Sequence, residues 1–269
     1  SAVHSSGACR ACSVDPIPRA DTLAALGISL TMTDLQKPIP LQAEPDWIAC
    51  AGVPIVESGQ PLVALGLSQR LVVYPAYHRL GVPEALPDCH VRHEVFERLL
   101  FAAAALPPGV CLAVLDGWRP LAVQQHLYRS LTQAIAGANP ELPAEQLLAL
   151  TRQFVSIPSV CPQTPSPHLT GGAVDVMLTD EAGRWLDMGS EFDAACARSF
   201  THFYEQIAEP SADQIAVRSR RRMLYNAMQA AGFSNLASEW WHYDFGNQLW
   251  AWSTGCLLYT SDAADERSS

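Results

Sequence analysis

Two short apolar runs, residues 110–115 and 173–178, constrain the fold of this chain most. Each has the length of a strand and is too short for a stable helix. The first runs straight into Asp116-Gly117-Trp118-Arg119-Pro120, and the second carries Asp175 between Val174 and Val176. Helical patterns alternate with them. Val91, Val95, Phe96, Leu99, Leu100 and Ala103 fall on one helix face, ended by Pro107-Pro108-Gly109. Pro120 suits the first turn of a helix in which Val123, Leu127, Tyr128, Leu131 and Ile135 recur. Further helices are expected over 144–154 and 218–231, the latter stopped by Gly232. Residues 71–74 and 239–245 read as strands. Strands and helices mix without strict βαβ alternation, which favours an α+β fold with an antiparallel or mixed sheet.

The length of 269 residues suits one large domain or one domain with an extension. Residues 1–60 are rich in Pro, Ser, Ala and Asp and read as a partly irregular extension. The main domain is expected over 61–255. Residues 256–269 resemble a translated transposon-type adaptor and are expected to be a non-native tail. The net charge of −10 argues against a nucleic-acid or anionic-membrane partner. The basic run 218–222 reads as a solvated helix face. No apolar run is long enough to span a bilayer, and the first residues lack signal-peptide features. The cytoplasm is the expected location, with the periplasm left open because no initiator Met is present. The cysteines are scattered and read as buried hydrophobes or free thiols, and Cys9-Arg10-Ala11-Cys12 lacks the second pair of a zinc site.

Two segments carry chemistry. In Ser166-Pro167-His168-Leu169-Thr170-Gly171-Gly172-Ala173-Val174-Asp175, a histidine leads into a glycine turn and a carboxylate enters an apolar strand. Burying that carboxylate is costly without a cation or donors. In Glu239-Trp240-Trp241-His242-Tyr243-Asp244-Phe245, Glu and His stand three apart. In a regular strand they would point to opposite faces. They serve one site only if the backbone bends or Glu239 precedes the strand. Together these residues supply the three N/O ligands and the base of a catalytic zinc site. Asp116 and Asp244 compete for the third ligand place, and Asp175 is preferred for its apolar flanks. Arg119 can stabilise an oxyanion or make an ordinary salt bridge. His93-Glu94-Val95-Phe96-Glu97 lacks the second histidine of a zincin helix, so His90 and His93 read as exposed helix residues.

These motifs resemble those of the D-alanyl-D-alanine dipeptidases. S-x-H-x-x-G-x-A-x-D is matched by Ser166, His168, Gly171, Ala173 and Asp175, and E-x-W-H by Glu239, Trp241 and His242. D-G-x-R-P is matched by Asp116, Gly117, Arg119 and Pro120, and M-G-x-x-F-D by Met188, Gly189, Phe192 and Asp193. The resemblance spans about residues 70–250. It implies an α+β fold whose central antiparallel sheet is flanked by helices and carries one Zn²⁺ per chain. It implies His168, Asp175 and His242 as ligands, Glu239 as base and Arg119 as transition-state stabiliser. Asp193 and Ser166 are the implied substrate-binding residues, Asp193 for the free amino group of a small dipeptide. Glu239 would take the proton of water and hand it to the leaving amine. Asp193 also reads as the N-cap of a helix beginning near Ala194. A D-Ala-releasing carboxypeptidase acting on muropeptides and a non-catalytic zinc module that recognises cell-wall peptide are the competing readings. The oligomeric state is left open.

Overall fold

The computed structural model describes residues 30–152 and 155–256. Two sheets and eight α-helices form it. Short helices α1 (Met32–Leu35) and α2 (Trp47–Ala51) come first. A small antiparallel ribbon pairs β1 (Leu62–Ala64) with β3 (His90–Arg92). The main sheet has the order β2-β4-β5-β7-β6. Its strands are β2 (Val72–Val73), β4 (Val110–Asp116), β5 (Ala173–Asp180), β6 (Ser234–Asn235) and β7 (His242–Asp244). Only β2 and β4 run parallel. The remaining helices are α3 (Ala76–Arg79), α4 (His93–Ala105), α5 (Leu121–Ala138), α6 (Ala144–Thr151), α7 (Ala212–Ala230) and, after the last strand, α8 (Gln248–Thr254). The α+β expectation holds.

The two apolar runs became β4 and β5, the centre of the sheet. Alternate residues of a strand face opposite ways. Leu112, Val114, Val174, Val176 and Leu178 are fully buried and share a core with Val95, Leu99 and Ala102 of α4 and Leu224, Ala227 and Met228 of α7. Burying each such aliphatic side chain contributes roughly 1.5–3 kcal/mol. That helix layer covers one face, and the opposite face carries the polar residues of β4, β5 and β7. Leu35 of α1 and Val53 join the same core. Asn226 of α7 donates to the Leu35 and Lys37 carbonyls, tying α1 to α7.

Several local expectations change. Val91 and His90 belong to β3, and His90 is half-buried because the pairing of Ala64 with His90 holds it in a ribbon. Helix α4 starts only at His93, which is exposed. The basic run is only in part a solvated face, since Arg218 and Arg220 stay partly exposed. Arg221 is buried and donates to the carbonyls of Met188, Phe200 and Arg198, while Arg222 pairs with Glu205. A run of like charges hides which members meet carbonyls far away in sequence. The strand expected over 239–245 shortens to His242–Asp244. Cys9, Cys12 and all of 256–269 except the buried Cys256 lie outside the described residues.

Candidate active site

Register in the sheet assembles most of the site. Asp175 on β5 is the direct neighbour of His242 on β7 and of Asp116 on β4. The pairing with Asp116 depends on a bulge. Val114 pairs with Val176, so regular alternation would set Leu115 opposite Asp175 and turn Asp116 to the helix layer. The register instead shifts between Val114 and Asp116. An extra residue in one strand re-aims the side chain after it.

His168 comes from a single 3-10 turn, Pro167–Thr170, immediately before β5. Gly171 follows at φ 72°, and a Cβ there would meet Leu62 at 2.6 Å, so glycine is needed for the reversal into β5. The Asp116–Pro120 segment supports this turn from below. The Trp118 indole donates to the Leu169 carbonyl at 3.1 Å and the Arg119 amide to the His168 carbonyl at 3.2 Å. The Gly117 carbonyl lies 2.8 Å from His168 Nδ1.

That contact sets the tautomer. With Nδ1–H donating to Gly117, His168 keeps the Nε2 lone pair free. Nε2–H of His242 likewise donates to Asp244 Oδ2 at 3.0 Å, leaving Nδ1 free. The two free nitrogens are 3.2 Å apart. Asp175 Oδ1 lies 3.3 Å from His242 Nδ1, and Oδ2 lies 3.5 Å from His168 Nε2. Asp175 is 1% exposed, and its Oδ1 accepts no hydrogen bond among the described residues. Three buried acceptors therefore converge with no donor among them, an arrangement a divalent cation satisfies. One ligand atom from each of His168, Asp175 and His242 lies within 4.8 Å of the others. Burial opposes a positive charge on His242, but the carboxylates of Asp244 and Asp175 outweigh it and raise its pKa well above the ordinary value. The field that favours a proton there favours a cation.

Neither competing carboxylate belongs to this set. Asp116 accepts from Arg119 and stands 3.6 Å from His168 Nδ1, the nitrogen turned away from the cluster. Asp244 backs the far side of the His242 ring and is itself held by Asn247 at 2.6 Å. Such outer partners fix ring orientation and raise ligand basicity. Asp244→Asn should lower metal affinity by roughly 10–100-fold. Competition with a chromophoric chelator measures it, and an unchanged affinity would refute the backing role.

The other predicted residues gather round this cluster, with one exception. Glu239 lies in the turn before β7, which removes the problem of opposite strand faces. Its Oε2 is 3.8 Å from His242 Nδ1. Burial pushes its carboxyl up to about 8. Arg119 is buried and gives Nε to Asp116 at 2.7 Å, Nη1 to Gln124 at 2.7 Å and Nη2 to Asp175 at 3.1 Å and Tyr77 at 3.4 Å. Asp193 lines the same cleft, of about 290 Å³, with Tyr77, Glu239 and Trp241. It is open to solvent, yet loss of hydration in the concave site pushes its pKa up to about 6 against the pull of Arg119. It is no helix cap. Its φ is 63°, and the next helical turn begins at Ala197 with Cys196 at the cap position. Ser166 is the exception. Its hydroxyl donates to the Ile157 carbonyl and accepts from the Ser159 amide, both at 3.0 Å, so it pins the preceding loop.

Sequence reasoning missed Tyr77 and Gln124. Gln124 left a signal, a polar residue on the stripe of Leu127 and Leu131. Tyr77 left none, because its neighbours in sequence share no pattern with the site.

The Peptidase M15 family model, described as D-ala-D-ala dipeptidase, matches residues 83–259. The chain belongs to this family. Apart from Tyr77, every residue of the candidate site falls within the matched range. Members of the D-Ala-D-Ala dipeptidase family are metallopeptidases, and the chain is a hydrolase of that kind. It is 33% identical over 218 residues to a D-alanyl-D-alanine dipeptidase of Synechocystis sp., covering 74% of this chain and 87% of that one. It is 42% identical over 80 residues to one of Escherichia coli, covering 29% and 37% of the two chains. To one of Enterococcus faecalis it is 30% identical over 145 residues, covering 52% and 64%. Among the described residues no helix is long and apolar enough to cross a membrane.

Proposed function

We propose that this protein is a zinc dipeptidase that hydrolyses D-alanyl-D-alanine or a similar small dipeptide. The observation that carries the reading is the convergence of unpaired acceptors from His168, Asp175 and His242, with Glu239 beside them in a small cleft. Two imidazoles and one carboxylate suit zinc and leave a fourth position open. Zinc held there supplies Lewis-acid chemistry and lowers the pKa of water toward roughly 7. His168, Asp175 and His242 would hold the ion, and Gly117 and Asp244 keep the two rings turned toward its place. Glu239 takes the proton of the attacking water and passes it to the leaving amine. Arg119 has one N–H not engaged by Asp116, Gln124, Asp175 or Tyr77, and it steadies the oxyanion. Asp193 receives the free amino group of the substrate, and Ser166 acts indirectly by holding the loop before His168.

The volume of the cleft supports a dipeptide over a long muropeptide, since about 290 Å³ lies at the lower limit for small-molecule sites. Glu239 and Arg119 count against a purely binding module, which needs neither. The experiment compares hydrolysis of D-Ala-D-Ala with that of N-acetyl-D-Ala-D-Ala. The free dipeptide should be strongly preferred. Asp193→Asn should narrow that preference by on the order of 10-fold, the scale of one hydrogen bond to a charged group. Equal cleavage of both substrates by the unmodified enzyme would favour the carboxypeptidase reading instead.

A further inference from the structure

Resting on the role of Glu239 proposed above, we infer that Asn235 is a positioning residue whose side-chain amide holds the general base at the metal ligands. Glu239 belongs to no strand. It sits in the excursion between edge strand β6, which ends at Asn235, and β7, which begins at His242. Asn235 pairs with Tyr243, so its side chain stands beside the two ends of that excursion. Its Nδ2 donates to the Glu239 carbonyl at 3.1 Å and to the His242 carbonyl at 2.9 Å. One amide group thus bridges the backbone of the base and the backbone of a metal ligand.

The orientation of the amide follows from these partners. Its Oδ1 is buried and accepts no hydrogen bond among the described residues. Leaving an acceptor without a protein donor is unfavourable. Turning the group over would be worse, because Oδ1 would then face two carbonyl oxygens. Both donors of the NH₂ group are committed to the turn.

The two clamped residues differ in what else holds them. His242 is fixed by its pairing with Asp175 in the β5–β7 ladder and by Asp244 on its ring. Among the described residues, the other contacts of Glu239 are local: its amide reaches the Leu236 carbonyl, its carbonyl receives the His242 amide, and its carboxylate approaches His242. Loss of the clamp therefore acts on the base and spares the ligand. Placement within about 0.5 Å matters for proton transfer.

The test uses the zinc-loaded full chain and D-Ala-D-Ala. Asn235→Ala should lower kcat by on the order of 10-fold, with KM and zinc affinity within about twofold. Asn235→Asp keeps the shape but sets a carboxylate against two carbonyls, and should lose at least as much. In a Glu239→Gln background, Asn235→Ala should cost nothing further, because both changes remove the same function. An equal loss in both backgrounds, or loss of zinc, overturns the proposal and leaves Asn235 as ordinary edge-strand support. Amide exchange reads the clamp without substrate. In Asn235→Ala, exchange at Glu239 and His242 should rise while the β4–β5 ladder stays protected. Unchanged exchange overturns the clamp. Raised exchange in a chain that leaves D-Ala-D-Ala intact supports it and overturns the substrate assignment alone.

Discussion

His242→Ala should abolish both zinc binding and hydrolysis, the largest effect expected of any single substitution here. The change removes one of the three proposed ligands, and a catalytic zinc site typically uses three protein ligands. It also strands charge. Asp244 is 0% exposed and Asp175 1%, and His242 is the ring between them. Breaking a buried pair by deleting one partner typically costs about 3–5 kcal/mol. A marked fall in thermal midpoint should therefore accompany the loss of metal. Chelation of the unmodified protein should abolish hydrolysis through the ion alone, without deleting a side chain. Elemental analysis and calorimetry check this together. One equivalent of zinc retained in His242→Ala would remove His242 from the ligand set.

Arg119→Ala should damage stability and turnover together. The guanidinium is buried and ion-paired with both Asp116 and Asp175, while Gln124 and Tyr77 take further N–H groups. Its removal leaves two carboxylates facing each other across β4 and β5 without a cation between them. The destabilisation should again be about 3–5 kcal/mol. Turnover of the folded fraction should fall by on the order of 10²-fold, the usual scale for one oxyanion donor. Arg119→Lys separates the two effects. An ammonium restores charge but cannot form the planar fork that serves Asp116, Gln124 and Asp175 at once. Stability should recover in part while turnover stays low. Full turnover in Arg119→Ala would reduce Arg119 to a structural ion pair.

Much of the site was legible because its signals are local. A carboxylate between Val174 and Val176 announces itself on any reading of hydrophobic pattern. So does a histidine set before a Gly-Gly turn, or an arginine closed in by Pro120. The less visible parts depend on partners remote in sequence. Nothing near Asp244 tells whether it binds a metal or backs His242, because that depends on which ring nitrogen faces Asp175. Tyr77 reaches Arg119 from far back in the sequence, only once α3 packs against β4. Arg221 looked like one charge in a solvated run, yet carbonyls from residues 188, 198 and 200 bury it.

The same division separates sequence from tertiary structure across the whole protein. Periods of 2 and 3.6 residues are properties of neighbouring positions, so the sequence by itself determined β4, β5, the main helices and the mixed α+β character. It also determined which residue types were available for chemistry. Register is a relation between strands, and a slip of one residue turns every side chain over. The bulge at Leu115 that brings Asp116 to Asp175, and the pairing of Asp175 with His242, were therefore decided only when β4, β5 and β7 met. So was the turn that carries Glu239 to the cluster. Its conformation is held by Asn235 from the neighbouring strand, and no local propensity specifies it.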